Sequence, residues 1–366
     1  MVIYLTSIVF VILGSLFAQF IRDRAVVYPK IAKNILLFIV MFFVFLAMFL
    51  PAAFRNHVGT DYSSYILMYE HPEWYSSTTN GLFINFVKIL RSVSNNYQSF
   101  FIVTSVLIYG VIVIVSYIDS EDIAFTLLLF YIMEDYFVSL NIVRQYSAIV
   151  VCMIGIIAFA RNKHVLLGVS VLTATIVFHP SSLVVLLIPL LCRINVNKSR
   201  LVILGITVPL LAILASPIIR KIIITFTQYG RYFISNYYSS GTYSVAVELL
   251  AIYAAIYIMT IIFCSEESLI EDIRVKIFIS ATLLNMGIMG LSFTLTQNTY
   301  RLSYFFNPII ALYFPSVIKS MDIRKNQIII KSATIILFSI WTFLLITHRN
   351  QNVLPYQSIL SNRIYY

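Results

Sequence analysis

Long apolar runs separated by short polar segments make up most of the chain. A membrane-spanning helix needs about 20 apolar residues, with roughly 17–25 tolerated. This criterion predicts an all-α, polytopic integral membrane protein that forms a single domain over residues 1–366, with about 12 transmembrane helices. The predicted spans are residues 1–21, 32–50, 98–118, 122–139, 144–160, 165–178, 181–193, 201–217, 246–264, 276–295, 301–319 and 328–347.

The segments 165–178 and 181–193 are short for two spans. "RNKH" precedes this pair and "CRINVNKSR" follows it, and basic segments of this kind are typical of cytoplasmic loops. One long span would place one of the two loops outside, so two spans are predicted. Both termini are then outside, and the first apolar run is expected to be an uncleaved span because it has no basic residues before it.

The distribution of basic residues supports this orientation. Of the 25 Lys and Arg residues, 15 fall in the predicted inner loops. These are Arg22, Arg24, Lys30, Lys33, Arg161, Lys163, Arg193, Lys198, Arg200, Arg274, Lys276, Lys319, Arg324, Lys325 and Lys331. The others lie on the disfavoured outer side, several of them at the ends of spans, where a basic residue requires a specific reason.

Composition excludes several classes of protein. Only 11% of the residues are charged and 60% are hydrophobic, whereas a soluble domain has about 25% charged residues. The net charge of +10 is explained by the inner loops, so no nucleic-acid partner is predicted. Cys152, Cys192 and Cys264 lie in or beside apolar runs without a CxxC motif, so neither a disulfide framework nor a metal site is predicted.

Two long segments are predicted on the outer side, at residues 51–97 and 218–245. The first contains "NGLFINFVKILRSVS", whose apolar positions predict an amphipathic helix lying in the membrane interface. The second is rich in tyrosine and basic residues and includes Arg231, a candidate substrate-binding residue. Tyrosines at this level are also ordinary features of the membrane interface.

Four polar motifs share the predicted outer side. They are "RNHVGTDYSSY" (Arg55, His57, Asp61, Tyr62, Tyr65), "NIVRQYSA" (Asn141, Arg144, Gln145), "FHPSSL" (His179, Ser181, Ser182) and "QNTYRLSYFFNP" (Tyr300, Arg301). Each of the last three begins a span, where the free N–H groups and the helix dipole favour an anion. Because Arg144 and Arg301 add bidentate donors, the motifs predict a site for a pyrophosphate.

Each motif also has a simpler interpretation. Arg144 could reach lipid headgroups, His179 could cap a helix, and an ion pair between Arg55 and Asp61 would contribute only about 0–1 kcal/mol. The shared side, in a chain with so few charges, favours one cavity instead. The segment 55–65 is therefore expected to fold over the outer mouth of the helix bundle, towards Arg144, His179 and Arg301.

The motifs resemble those of the EpsG-like and Wzy-type O-antigen polymerases. Residues 55–65 resemble the R…GxDYxxY segment of these proteins, residues 141–145 their N-x-x-R-Q helix start, and residues 178–182 their FHxS-type turn after a basic loop. The resemblance covers roughly residues 50–195. It implies a GT-C-like membrane glycosyltransferase without a metal or another cofactor, located in the bacterial inner membrane with its active site facing the periplasm.

The resemblance also implies a reaction and partners. A growing glycan would be transferred from undecaprenyl pyrophosphate to a second lipid-linked repeat unit, in contact with membrane lipid and with a chain-length regulator of the same pathway. Asp61 is the first choice as general base and His179 the second, while arginines would neutralise the leaving pyrophosphate. Which of Ser181 and Ser182 is functional stays open.

Other functions compete with polymerisation. An O-antigen ligase shares the donor and differs in the acceptor, and short motifs do not separate the two; a membrane acyltransferase is a similar alternative. A transporter or flippase of lipid-linked sugars would also hold an anion at helix N-termini. Transporter sites are expected near the bilayer midplane, however, whereas these motifs lie near the outer boundary.

Overall fold

The computed structural model describes residues 1–23, 29–75, 81–194, 197–226, 243–293, 295, 297–348 and 351–365. Within these ranges the chain is an all-α polytopic membrane protein, and eight helices are long and apolar enough to cross a membrane. Helices dominate because a backbone in lipid must satisfy its own hydrogen bonds. The chain also forms a short antiparallel hairpin after the last helix, made of β1 (Tyr356–Ser358) and β2 (Ser361–Tyr365).

The helices up to the middle of the chain are α1 (Val2–Asp23), α2 (Lys30–Ala53), α3 (Tyr62–Glu70), α4 (Gly81–Val93), α5 (Gln98–Asp119), α6 (Ile123–Ile132), α7 (Asp135–Ser139), α8 (Val143–Ala160) and α9 (His164–Thr173), which continues as a π-helix over Ala174–Phe178. The later helices are α10 (Leu187–Cys192), α11 (Lys198–Phe226), α12 (Tyr243–Phe263), α13 (Glu266–Glu271), α14 (Ile273–Ser292), α15 (Asn307–Lys319) and α16 (Arg324–His348). Short 3-10 helices are described over Pro72–Tyr75, Pro180–Leu186 and Gln297–Phe305.

The chain divides into two compact units, Met1–Leu183 with Ser332–Tyr366, and Val184–Lys331. In the first unit, α1 packs against α2 and α6, and α5 packs against α2 and α8. Buried tyrosines form part of this core, and the Tyr131 and Tyr136 rings stack at 4.4 Å. Their hydroxyls are satisfied inside the unit: Tyr136 donates to the Met48 carbonyl at 3.0 Å, and Tyr131 lies 2.6 Å from the Ser7 hydroxyl.

The two ends of the first unit carry different residues. At one end, Arg22 donates to the Glu121 carbonyl at 2.9 Å, and Arg161 pairs with Asp119 at 2.9 Å. At the other end lie the first turns of α5 and α8 and the loop that follows α2. Arg22 and Arg161, both predicted to be cytoplasmic, therefore lie together, at the opposite end of the unit from Arg144.

In the second unit, α14 packs against α11, α12 and α15. The approach to α11 is close, because a Cβ on Gly290 would lie 2.6 Å from the Pro209 carbonyl oxygen. The amide oxygen of Asn307 accepts from Tyr253 at 2.7 Å and from Asn285 at 2.8 Å. These polar bonds fix the start of α15 in the interior of this unit.

The predicted count of twelve spans is not confirmed. Four predicted spans, at 122–139, 165–178, 181–193 and 301–319, correspond to shorter or interrupted helices. The clearest interruption is at Glu134, whose φ of 66° breaks the first of these segments into α6 and α7.

The structure describes parts of both predicted outer segments. Helix α4 forms inside the first and buries Phe83, Ile84 and Val87. In the second, α11 continues to Phe226 instead of ending at residue 217. Residues 227–242, which include Arg231, lie outside the described residues.

Candidate functional site

The loop that follows α2 makes two turns in the left-handed region of backbone space. His57 has a φ of 51° and Gly59 a φ of 102°. Glycine adopts this region without steric cost, whereas other residues do so rarely. At Gly59 a side chain is excluded for a second reason, because a Cβ would lie 2.9 Å from the Asn141 amide oxygen and 3.0 Å from the Leu140 carbonyl.

Arg55 lies inside the protein, with 2% of its surface exposed. It donates to the carbonyls of Ala52 and Leu140, the latter at 3.2 Å. Its guanidinium lies 4.5 Å from the centre of the Phe101 ring, on which Tyr62 stacks at 4.7 Å. Burial lowers the pKa of the guanidinium. Predicted as a substrate ligand, Arg55 here joins the loop to the residues just before α8.

The opening motif and the N-x-x-R-Q motif are bonded to each other. The Asn141 amide oxygen accepts from the backbone N–H and the hydroxyl of Thr60. The Tyr65 hydroxyl accepts from the backbone N–H of Arg144 at 3.2 Å. That N–H belongs to the first turn of α8, where helical donors have no partner within the helix. The structure therefore places residues 55–65 against Leu140–Arg144.

Asp61 stands immediately before α3, in a half-buried position. A carboxylate is favoured there by the partial positive charge of the helix N-terminus. Burial, together with the nearby Asp61 charge, raises the pKa of Tyr65 to about 12. The Tyr65 phenol is therefore neutral at physiological pH and retains its proton while it accepts from Arg144.

A cluster of aromatic rings lies beside Arg144. Arg144 is half-buried, and its guanidinium is 5.9 Å from the centre of the Phe83 ring on α4. Phe83 also contacts Phe100, which stacks on Tyr65 at 5.3 Å, and it contacts Phe178 at 6.3 Å. Phe83 therefore lies between Arg144, at the start of α8, and Phe178, the residue before His179. Through Phe100 it is also linked to Tyr65 on α3.

The third motif ends the π-helical extension of α9. His179 is extended, with φ −148° and ψ 122°, and the 3-10 helix begins at Pro180. The backbone N–H of Ser181 donates to His179 Nδ1 at 3.3 Å, and the buried Ser182 hydroxyl donates to the His179 carbonyl at 2.7 Å. Because Nδ1 accepts, the neutral imidazole carries its proton on Nε2.

The remaining predicted residues differ in their surroundings. His57 is exposed, and its ring lies 5.6 Å from that of Tyr62. Gln145 is buried within α8. Tyr300 and Arg301 are half-buried in the 3-10 helix of the second unit, so they belong to a different compact unit from the other motifs.

Two buried carboxylates were missed by the sequence interpretation. Glu134 and Asp135 lie at the break between α6 and α7, with 2% and 0% of their surfaces exposed. The Tyr146 hydroxyl donates to Asp135 Oδ1, which joins the break to the first turns of α8. The sequence already indicated them, because two adjacent acidic residues inside a predicted membrane span are functional candidates by default.

The conformation of Gly59 leads to a stability prediction. Gly59→Ala introduces a Cβ at a positive φ and against Asn141, so we expect a loss of about 1–3 kcal/mol in the free energy of unfolding and a lower thermal unfolding midpoint in detergent. Gly168→Ala is the matched control, because a Cβ there meets no atom within 4 Å and the position is helical. Equal midpoints for the two variants would contradict the strained loop.

The fold and the bonded motifs define a multi-pass membrane protein in which three of the four polar motifs lie at one end of the first unit. Comparison with known families indicates the same class of protein, because residues 38–358 match the EpsG family. The chain belongs to the EpsG family, a family of Wzy-like polysaccharide polymerases. Its membrane function is thus of the polysaccharide-polymerase type, with glycosyltransferase chemistry and lipid-linked glycan substrates. No curated protein and no solved structure matches the chain.

Proposed function

We propose that the protein polymerises undecaprenyl-pyrophosphate-linked oligosaccharide repeat units into O-antigen or a related surface polysaccharide, at the periplasmic face of the bacterial inner membrane. The observation that carries this proposal is the bonding of residues 55–65 to the start of α8. It brings Asp61, a carboxylate, to the same end of the unit as Arg144, a half-buried cation at a helix N-terminus.

The transfer needs two groups of the protein, a base and a cation. Asp61 takes the proton from the acceptor hydroxyl, whose oxygen then attacks the anomeric carbon of the donor glycan. The bond between that carbon and the pyrophosphate oxygen breaks, and the undecaprenyl pyrophosphate leaves as an anion. Arg144 binds this anion through its planar guanidinium, aided by the dipole of α8. Arg301 and Arg231 stay predicted phosphate and substrate ligands.

His179 has a different role in this proposal. With Nδ1 accepting from Ser181, its Nε2 is a donor in the neutral ring and is not free to take a proton. His179 therefore donates a hydrogen bond to substrate, and Asp61 is the stronger choice as base.

A chain-length regulator of the same pathway is a further proposed partner.

Gene deletion separates this function from its nearest alternative. Loss of a polymerase leaves core oligosaccharide that carries one repeat unit, because ligation continues without chain growth. Loss of a ligase leaves core alone, with polymer retained on its lipid. Gel analysis of the surface polysaccharide distinguishes the two patterns, and the second pattern would reject the polymerase assignment.

Metal independence is proposed from the sequence, which has no DxD motif to hold a metal ion beside a phosphate, and from the arginine that would neutralise the leaving group. We expect polymerisation in proteoliposomes with purified lipid-linked repeat units to continue in EDTA. Loss of activity that Mg²⁺ or Mn²⁺ restores would contradict this assignment of charge neutralisation to arginine.

Orientation in the membrane is the remaining proposal. Because basic residues favour the cytoplasmic side, we expect reporter fusions to separate into two groups. Fusions after Asn56, Asn236 and Asn298 should report the periplasm, and fusions after Lys30, Lys163 and Lys325 the cytoplasm. A cytoplasmic report after Asn56 would place the opening motif on the wrong side for periplasmic transfer.

A further inference from the structure

The segment after α16 lies along the loop that carries the opening motif. The backbone N–H of Gly59 donates to the Asn352 carbonyl at 2.7 Å, and that of Asn56 donates to the Gln357 carbonyl at 3.0 Å. The Tyr356 hydroxyl donates to the Pro51 carbonyl at 3.0 Å. Residues 351–358 therefore hold the backbone of this loop from its start to the glycine turn.

One side-chain bond extends this attachment to the N-x-x-R-Q motif. Asn141 Nδ2 donates to Gln351 Oε1 at 3.0 Å, while Asn141 Oδ1 accepts from Thr60. An amide has a donor end and an acceptor end. Gln351 accepts from the nitrogen at 3.0 Å and the Phe137 carbonyl accepts from it at 3.4 Å. The closer acceptor, Gln351, therefore helps to hold the Asn141 amide with its oxygen directed at Thr60.

Thr60 and Asn141 stand close to the two groups that the transfer needs. Thr60 is the residue before Asp61, and Asn141 is three residues before Arg144. The Asn141 amide thus connects the backbone that carries the proposed base to the backbone that carries the proposed phosphate ligand. Asn141 is buried, with 5% of its surface exposed, so this connection is made within the protein.

We infer that Gln351 is a positioning residue for glycosyl transfer: acting through the Asn141 amide, it sets the Asp61 carboxylate relative to Arg144. This inference rests on the proposed function. Loss of the Gln351 acceptor leaves the Asn141 nitrogen with the more distant Phe137 carbonyl, so that the amide, and Thr60 with it, are held less firmly. The base then departs from its position, which lowers the rate of the chemical step more than the affinity for substrate.

Three variants isolate the acceptor. Gln351→Leu removes it at similar size, and Gln351→Glu keeps an acceptor oxygen at the same reach. Gln357→Leu is the matched control: the same change in the same segment, where the residue contributes its backbone carbonyl to Asn56. If Gln351→Leu fails to accumulate in the membrane, Gln351→Lys replaces it, since lysine is polar but has no acceptor.

The measurement is kcat and KM for lipid-linked repeat units, with the purified full-length protein in proteoliposomes. We expect Gln351→Leu to lower kcat about tenfold, as an unmade hydrogen bond to a buried amide would, with little change in KM. Gln351→Glu and Gln357→Leu should stay near the parent. The thermal unfolding midpoint of Gln351→Leu should fall by no more than about 2 °C.

Several results would overturn the inference. A normal kcat for Gln351→Leu would show that the acceptor is not needed. A Gln351→Glu variant as slow as Gln351→Leu would show that the acceptor oxygen does not account for the loss. If Gln351→Leu has the kcat of the parent per folded molecule but a lower thermal unfolding midpoint, Gln351 contributes to stability and not to glycosyl transfer. Arg144→Ala in the same assay separates the levels: if it is inactive while Gln351→Leu is normal, only this inference fails, and if it is fully active, the proposed site fails as well.

Discussion

Arg144→Ala is expected to abolish polymer formation, and Arg144→Lys to be nearly as inactive. Arg144 is half-buried at the start of α8, and its guanidinium lies beside the Phe83 ring. A guanidinium binds phosphate oxygens through two parallel bonds and lies flat on an aromatic face, and a lysine ammonium does neither. The measurement is the polysaccharide ladder on gels from cells that contain equal amounts of each variant in the membrane.

Arg161→Lys provides the control for this experiment. Arg161 follows α8 at its other end and pairs with Asp119 at 2.9 Å, partly exposed, where a point charge is an adequate substitute. We expect its polymer to match the parent. Long polymer from Arg144→Lys would show that charge alone is sufficient, and long polymer from Arg144→Ala would remove Arg144 from the site.

Asp61→Asn is expected to abolish polymer as completely, with a normal amount of protein in the membrane, because an amide cannot accept the proton of the acceptor hydroxyl. His179→Gln should retain part of the activity, since glutamine still donates a hydrogen bond where the imidazole Nε2–H would. Glu70→Gln, at the other end of α3 and exposed, is the matched control and should be fully active.

The opposite pattern would reassign the roles. Normal polymer from Asp61→Asn together with inactive His179→Gln would make the histidine the base. Full activity of both variants would place the catalytic groups elsewhere, and the buried pair Glu134 and Asp135 would then be the next carboxylates to test.

Apart from α11, the long helices were predicted from the sequence to within a few residues. The predicted spans 98–118 and 144–160 correspond to Gln98–Asp119 and Val143–Ala160. Such runs are predictable because an apolar segment of this length has one way to satisfy its backbone in lipid. Hydropathy does not report the backbone angle of a single residue, and so the left-handed Glu134 and the break it makes in 122–139 were missed.

The candidate site was predictable only in its local parts. The sequence shows which residues are polar and where helices begin, but not which distant residue each one contacts. Tyr65 and Arg144 are separated by 79 positions, and Asn141 and Gln351 by 210. Arg55 is an example. Its charge suggested a ligand for substrate, whereas in the structure it is buried against the Phe101 ring and donates to the Leu140 carbonyl.

The attachment of residues 351–358 to the opening loop also sets the order in which the enzyme becomes competent during its synthesis. Pro51 and Tyr356 are 305 positions apart, so the loop leaves the ribosome long before the segment that completes it. Contacts of such separation form late in folding, after the intervening chain has been made. We therefore expect a nascent chain interrupted before Gln351 to carry every motif from Arg55 to Arg301 in the membrane and yet to leave lipid-linked intermediates unconsumed.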